Sequence, residues 1–108
     1  MSDRLYVLVR QDLSAEQQSV QAGHAVAQFC LTYPEIWKNH ILIYLSVNDY
    51  SDLNAWKKWI SLYEKKYVVF YEPYYQEETA LAVSSSEELF EGVPLMRFYH
   101  DTENNMLA

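Results

Sequence analysis

Cysteine, glycine and proline are all scarce in this sequence, and each scarcity excludes a class of protein. A single cysteine, Cys30, rules out an intramolecular disulfide framework. Two glycines and three prolines in a chain that is half apolar exclude a linker or a low-complexity tail and indicate a folded domain. Because Cys30 lies within an apolar helical pattern, we expect a core side chain in preference to the alternative, a reactive thiol.

Membrane-spanning runs and targeting patterns are missing as well. No apolar stretch is long enough to cross a bilayer, and the first residues show no signal-peptide pattern. We therefore expect a cytoplasmic protein with no membrane partner. A chain of 108 residues supports one hydrophobic core, which predicts a single domain over residues 1–108 with a flexible tail over residues 99–108.

Positively charged residues are also few. Eight Lys and Arg oppose fifteen Asp and Glu, which gives a formal net charge of −7. This balance argues against broad attraction to nucleic-acid phosphates. A small basic patch and solvated helix ends are two alternative interpretations of one lysine cluster, made of Lys57, Lys58, Lys65 and Lys66.

Four short apolar runs, rich in β-branched and aromatic residues, alternate with helical patterns. These runs predict strands over residues 5–9, 41–47, 67–71 and 79–83. A first helix is predicted from Ala15 to Thr32, because Ser14 and Gln17 fit a capping box at its start and Pro34 follows its end.

A second helix and a short third one complete the predicted order. After a turn over residues 48–51, apolar residues recur at spacings of three and four: Leu53, Trp56, Ile60 and Tyr63. Ser86 opens a short terminal helix that Gly92 and Pro94 end. The order β-α-β-α-β-β plus this helix predicts an α/β fold. We expect a mixed, mostly parallel four-stranded sheet with helices on both faces.

A narrow polar stripe runs along the first helix, whose remaining circumference is largely apolar. On a helical wheel four polar side chains fall within an arc of about 60°: Gln17, Gln21, His24 and Gln28. The stripe is either an exposed helix surface, a histidine held by a glutamine at the edge of the core, or one wall of a site. The third interpretation gains from topology, because ligands of open α/β sheets gather where strands lead into helices.

Several kinds of site do not fit these residues. The turn QDLSAEQQ contains no glycine, which excludes phosphate cradling of the P-loop or Rossmann kind. His24, His40 and His100 are far apart in the sequence and predict no metal site, and no strained serine turn of the GxSxG type occurs. The kind of chemistry that these residues still allow is hydrolysis by an activated water.

The residues around the stripe resemble a known family, peptidyl-tRNA hydrolase type 2. Its first motif joins the end of a strand, an Asp-Leu pair and a helix carrying Gln-x-x-His-Ala, and the matching residues are Arg10, Asp12, Leu13, Gln21, His24 and Ala25. The resemblance covers residues 4–84, through the stretches ILIYLSV, YVVFYEP and TALAV. It implies a mixed four-stranded sheet with helices on both faces and a homodimer. It also implies hydrolysis of the ester between a peptide and tRNA, without a metal or cofactor.

The resemblance assigns roles to individual side chains. His24 acts as acid, base or orienting group, and Glu72 positions His24 or the attacking water. Gln17, Gln21 and Thr79 donate hydrogen bonds to the substrate, which is peptidyl-tRNA or a related acyl ester. The implied catalytic set is His24, Glu72, Thr79 and Gln21, and the implied substrate-binding set is Gln17, Asp12, Arg10, Gln28 and Tyr74.

Two departures from the family pattern leave a second function open. Gln17 lies nearest to the place of a family lysine, and losing a charged donor costs about 2 to 4 kcal/mol in a transition state. Glu72 replaces the aspartate of the second motif and is one methylene longer. A non-enzymatic, dimeric binding or regulatory module is therefore the alternative to a hydrolase, and the net charge of −7 favours it.

Three residues have more than one possible role. Glu72 alone also fits a solvated loop carboxylate, and Asp12 either caps the turn or orients a histidine. Tyr74, next to Tyr75, stacks on a nucleobase or the terminal ribose, forms part of a dimer patch, or lies against the sheet edge.

Overall fold

The computed structural model describes residues 2–95, in which two helices alternate with four strands. The strands are β1 (Ser2–Arg10), β2 (Trp37–Val47), β3 (Tyr67–Glu72) and β4 (Glu77–Ser85), and the helices are α1 (Ala15–Thr32) and α2 (Tyr50–Ser61). This confirms the predicted α/β class and the order β-α-β-α-β-β. Within the described residues, neither helix has the length and apolar character that crossing a bilayer requires. The predicted tail over residues 99–108 lies outside them.

The four strands form one sheet in the order β2-β1-β4-β3. β1 pairs with β2 in parallel and with β4 antiparallel, and β4 also pairs with β3 antiparallel. Three strands point the same way, and β4 lies between two of them and opposes both. The sheet is mixed, as predicted, but the expectation of mostly parallel pairing is wrong. A short β3–β4 hairpin enforces antiparallel pairing, and β4 inserts beside β1.

Alternation along β1 divides the core into two layers, one under each helix. On the α1 side, β1 contributes Leu5, Val7 and Val9, and α1 contributes Ala22, Ala25 and Phe29. On the α2 side lie Tyr6 and Leu8 of β1 with Leu53 and Ile60 of α2. Successive strand residues point to opposite faces, so β1 serves both layers. The prediction of helices on both faces is confirmed.

The buried face of α1 differs from the one that its apolar residues predict. Its buried residues are Gln18, Gln21, Ala22, Ala25 and Phe29. Cys30, expected in the core, is exposed, and Leu31 is 84% exposed. The helix carries more apolar surface than one contact with a sheet covers. Because Phe29 takes the sheet side, Cys30 points away from it by about 100°.

Side chains cap the starts of both helices. Ser14 Oγ accepts from the N–H of Gln17 at 3.2 Å, as predicted, but the Gln17 side-chain oxygen accepts from Gln21 at 3.2 Å instead of completing a capping box. At α2, Asp49 accepts from the N–H of Asp52 at 2.9 Å, and the Asp52 carboxylate accepts from the N–H of Asn48 at 2.9 Å. Both helix starts are therefore fixed locally.

The short terminal helix predicted after Ser86 does not form, because residues 86–95 contain bends, a turn and one β-bridge. Glu88 accepts from the N–H of Phe90 at 3.2 Å, a local bond that competes with a helix. Phe90 is 3% exposed and packs edge-on against Tyr6 and Trp56. Burial of the Phe90 ring therefore outweighs the helix-capping signal at Ser86. The segment then crosses to β2, where Leu95 bridges to Leu45.

Candidate active site

The polar stripe of α1 faces the hairpin of β3 and β4. Gln21 is fully buried at the centre of this contact. Its amide nitrogen donates to Glu72 Oε1 at 2.9 Å and to Gln17 Oε1 at 3.2 Å. Its amide oxygen accepts from Thr79 Oγ1 at 2.6 Å. One side chain thus connects the first turns of α1, the end of β3 and the start of β4.

A β-bulge in β4 directs Thr79 toward α1. Between the pairs Phe70–Ala80 and Tyr71–Glu78, β4 advances two residues while β3 advances one. The extra residue is Thr79, which strict alternation from Ala80 would place on the α2 side. Bulges turn a side chain away from its regular direction and are frequent next to functional sites. The hydroxyl of Thr79 therefore reaches the α1 side, where it is fully buried.

The Glu72 carboxylate accepts hydrogen bonds at both oxygens. Oε1 accepts from Gln21, and Oε2 accepts from the backbone N–H of Tyr74 at 3.1 Å. The Gln21 bond is the main cause that lowers the pKa of Glu72, the Tyr74 bond and the charge of His24 act in the same direction, and desolvation opposes them. Glu72 is therefore ionised at neutral pH and weakly basic.

His24 lies one helical turn beyond Gln21 on the same stripe and is exposed. Its ring stacks on Phe70, with ring centroids 4.5 Å apart and planes inclined by 10°. A face-to-face stack fixes the plane of the imidazole and leaves its two nitrogens at the rim, where they can exchange protons. Among the causes that act on the pKa of Glu72, the charge of His24 is the smallest.

The other two glutamines of the stripe have different surroundings. Gln17 is half-buried, and its oxygen is held by Gln21. Gln28 donates to the backbone carbonyl of Val69 at 3.1 Å. Because β3 is an edge strand, this bond satisfies a carbonyl in the middle of that strand. The amide nitrogen of Gln21 thus bonds to both Gln17 and Glu72, whereas Gln28 contacts β3 at Val69.

Arg10 and Asp12 bind each other instead of flanking His24. Arg10 Nε and Nη2 donate to the two oxygens of Asp12 at 3.0 and 2.8 Å. Its Nη1 donates to Glu77 Oε1 at 2.5 Å and to the carbonyl of Glu78 at 3.2 Å. The Asp12 hydrogen bond is the main cause that raises the pKa of Arg10, and burial opposes it. Asp12 thus holds Arg10, a role that neither alternative from the sequence included.

Tyr74 is the exposed aromatic residue of the hairpin turn. Its side chain is 86% exposed, which excludes the alternative that it lies against the sheet edge. The ring of Tyr75 meets it edge-on, with centroids 5.3 Å apart and planes inclined by 75°. The position of Tyr74 is set from its backbone, through the N–H that binds Glu72.

Two residues that shape the site were missed in the sequence. Phe70 supports the imidazole ring, and its only signal is the two-residue alternation that places it on the same side of β3 as Glu72. Gln18 donates to the carbonyls of Leu13 at 2.8 Å and Gln11 at 3.4 Å, which braces the loop before α1. No motif distinguishes Gln18 from its neighbouring glutamines.

The site combines an ionised carboxylate, an exposed imidazole and amide groups. These groups can accept and return a proton and can stabilise charge through hydrogen bonds. Within residues 2–95, no three His, Cys, Asp or Glu side chains are grouped so that they could hold a metal ion.

Comparison of the chain with models of known protein families finds no match, and comparison with curated proteins finds none either.

Proposed function

We propose that this protein hydrolyses the ester of peptidyl-tRNA or of a closely related N-acyl-aminoacyl ester. The observation that carries the proposal is the convergence of three chain segments on one buried glutamine. Gln21 bonds to Glu72, 51 residues further along the chain, and to Thr79, 58 residues further along. Such a substrate belongs to translation, which would place the protein in the cytoplasm.

In the proposed reaction His24 is the general base. A nitrogen of its neutral imidazole takes a proton from water, and the water oxygen attacks the carbonyl carbon of the ester. The tetrahedral intermediate collapses as the bond between carbonyl carbon and ribose oxygen breaks. The imidazolium returns its proton to the leaving ribose oxygen, which yields a free carboxylic acid and a 3′-hydroxyl.

Glu72 supports this reaction through its charge. A carboxylate with a lowered pKa is a weak proton acceptor but stays negative when His24 becomes an imidazolium, and it stabilises that cation. Gln21 and Thr79 act as positioning residues, because both are fully buried and their donor groups bond within the protein. Gln17 is the donor to the oxyanion, since Gln21 holds its oxygen and its amide N–H groups can face the substrate.

A non-enzymatic, dimeric binding module is the second candidate. It is favoured by the small number of cations available to phosphates, because Lys57 and Lys65 form ion pairs of 2.9 Å with Glu78 and Glu87. These pairs neutralise half of the lysine cluster that offered a basic patch in the sequence. The same fold and the same polar network would then hold a binding surface instead of a catalytic water.

One assay separates the two functions. Purified protein is incubated with an N-acyl-aminoacyl-tRNA, and release of the tRNA is followed for the unmodified protein, His24→Ala and His40→Ala. We expect release by the unmodified protein, a loss of at least about 100-fold in His24→Ala, and an unchanged rate in His40→Ala. His40 is the matched control because it is exposed on β2, at the opposite edge of the sheet. No release by the unmodified protein would refute hydrolysis of this substrate.

A further inference from the structure

We infer that the ring of Tyr74 is a stacking platform for the nucleobase next to the scissile ester. The protein would then recognise the 3′-terminal nucleoside of its substrate, and not the phosphates along a whole tRNA. The inference rests on the proposed ester hydrolysis and names the part of the substrate that is bound.

The hairpin turn holds Tyr74 beside the carboxylate of Glu72. The N–H of Tyr74 binds Glu72 Oε2 at 3.1 Å, while the N–H groups of Tyr75 and Gln76 bind the Glu72 carbonyl at 3.1 and 2.8 Å. Three consecutive backbone donors therefore tie the turn to Glu72, which we propose acts with His24. The backbone of Tyr74 therefore lies beside the proposed reaction centre, and its ring projects from this turn.

The ring offers its face to solvent. Tyr74 is 86% exposed, and Tyr75 supports it edge-on, so that the pair leaves a broad side of the outer ring open. Single exposed aromatic residues are common on protein surfaces and need no function. Tyr74 differs because its backbone is bonded to the carboxylate of the candidate site. Unpaired bases stack on such rings whatever their identity, and stacking requires no positive charge.

Charge near the site argues for stacking over phosphate contacts. The bonds to Glu72 come from an amide side chain and a backbone N–H, not from a cation. Arg10, at the end of β1, uses its donors on Asp12, Glu77 and Glu78. A substrate bound mainly through phosphates would require several available Lys and Arg side chains. A terminal nucleoside that is held by stacking does not.

The test measures binding of an analogue that cannot be hydrolysed as an ester: an adenosine whose 3′-oxygen is replaced by nitrogen, carrying an N-acyl-amino acid as an amide. A second analogue has the same ribose and acyl group but no base. We expect Tyr74→Ala to weaken binding of the adenosine analogue about 10-fold or more, and Tyr74→Phe to retain it. Tyr63→Ala is the matched control, an exposed tyrosine at the end of α2.

Removal of the base should reproduce the effect of removing the ring. The unmodified protein should bind the abasic analogue more weakly than the adenosine analogue. We expect this loss of affinity to equal the loss that Tyr74→Ala causes for the adenosine analogue. On Tyr74→Ala, loss of the base should cost nothing further, because the two changes remove one interaction. Equal binding of both analogues to the unmodified protein, or unchanged binding in Tyr74→Ala, would overturn the inference. So would a loss of self-association in Tyr74→Ala with binding intact, which would identify a dimer patch.

Failure of this inference differs from failure of the proposed function. A protein that binds the analogue through Tyr74 but releases no tRNA from the ester substrate has the stacking site and lacks the hydrolase activity. A protein that cleaves the ester at the same kcat/KM in Tyr74→Ala has the activity and lacks the stacking site.

Discussion

Glu72 is held in its charged form by neighbours that come from other parts of the chain. Its carboxylate bonds to the Gln21 amide and to a backbone N–H, and its pKa is lowered from its ordinary value of 4.5. A depressed folded-state pKa means that Glu72 stabilises the fold above its unfolded-state pKa, and that this contribution is lost as the pH falls through the folded-state value.

Replacement of Gln21 by methionine should raise the pKa of Glu72 toward its ordinary value. The reason is that the amide donor is the largest cause of the shift, and methionine fills similar volume without a donor. NMR titration of the Glu72 carboxyl carbon measures this directly. Glu72→Gln should in turn flatten the fall of the unfolding free energy below about pH 4.5. A Glu72 midpoint that is equal in the unmodified protein and in Gln21→Met would contradict the assignment.

The hydroxyl of Thr79 and the amide of Gln21 form a fully buried polar pair. Thr79→Val keeps the shape of the side chain and leaves the Gln21 oxygen without its donor, so we expect a loss of about 1 to 3 kcal/mol in unfolding free energy. In a Gln21→Met background, Thr79→Val should reduce the unfolding free energy much less, because no buried acceptor is then left without a donor. Urea unfolding of the four proteins measures the coupling, and additive losses would show that the pair is unimportant.

The side chains of the site were predictable only in part. The resemblance to peptidyl-tRNA hydrolase type 2 pointed to Gln21, Glu72 and Thr79, and the structure brings these three together. Phe70 was not predicted, because its contact with His24 depends on the register of α1 over β3, which no local pattern encodes.

The boundaries of the helices follow from local sequence signals, whereas the pairing of the strands follows from tertiary contacts. The bounds of α1 agree with the prediction, because Ser14 and the approach to Pro34 are local signals. The insertion of β4 between β1 and β3 was not predicted, since pairing partners depend on the whole sheet. The bulge at Thr79 and the burial of Phe90 likewise come from neighbours that are distant in sequence.

Arg10 anchors the hairpin to the end of β1. Its side chain is 8% exposed, while its partners Asp12 and Glu77 are 40% and 47% exposed and can be resolvated if Arg10 is lost. We therefore expect Arg10→Met to cost about 1 to 3 kcal/mol, less than the rupture of a fully buried pair. Amide exchange over residues 73–78 should accelerate, since this turn then loses its tie to β1.

Lys38→Met is the matched control for Arg10→Met. Lys38 pairs with Glu35 at 2.8 Å, but both side chains are half or more exposed, so the substitution should change stability by less than about 0.5 kcal/mol. Equal losses in the two variants would show that Arg10 does no more than a surface ion pair.

The negative net charge of the protein opposes binding of polyanions through their phosphates. The net charge is −7, and Lys57 and Lys65 are in ion pairs. We expect binding of an N-acyl-aminoacyl-tRNA to weaken only modestly from 50 to 200 mM salt, with a slope that corresponds to fewer than about three phosphates. Lys66 lies over the ring of Tyr33 in the α1 layer, whereas Lys58 belongs to α2 on the other face of the sheet. The two lysines form no common patch, so Lys58→Gln with Lys66→Gln should change that slope by less than about one. A fall of about two would contradict this expectation.

We propose that His24 and Glu72 act as one catalytic unit at the contact between α1 and the hairpin. Single-turnover kcat/KM for ester hydrolysis should be measured for the unmodified protein, His24→Ala, Glu72→Gln and the double variant. We predict that each single variant loses at least about 100-fold and that the double variant is no slower than the worse single one, since each change already disables the unit. Losses that multiply in the double variant, or unmodified rates in either single variant, would contradict the claim.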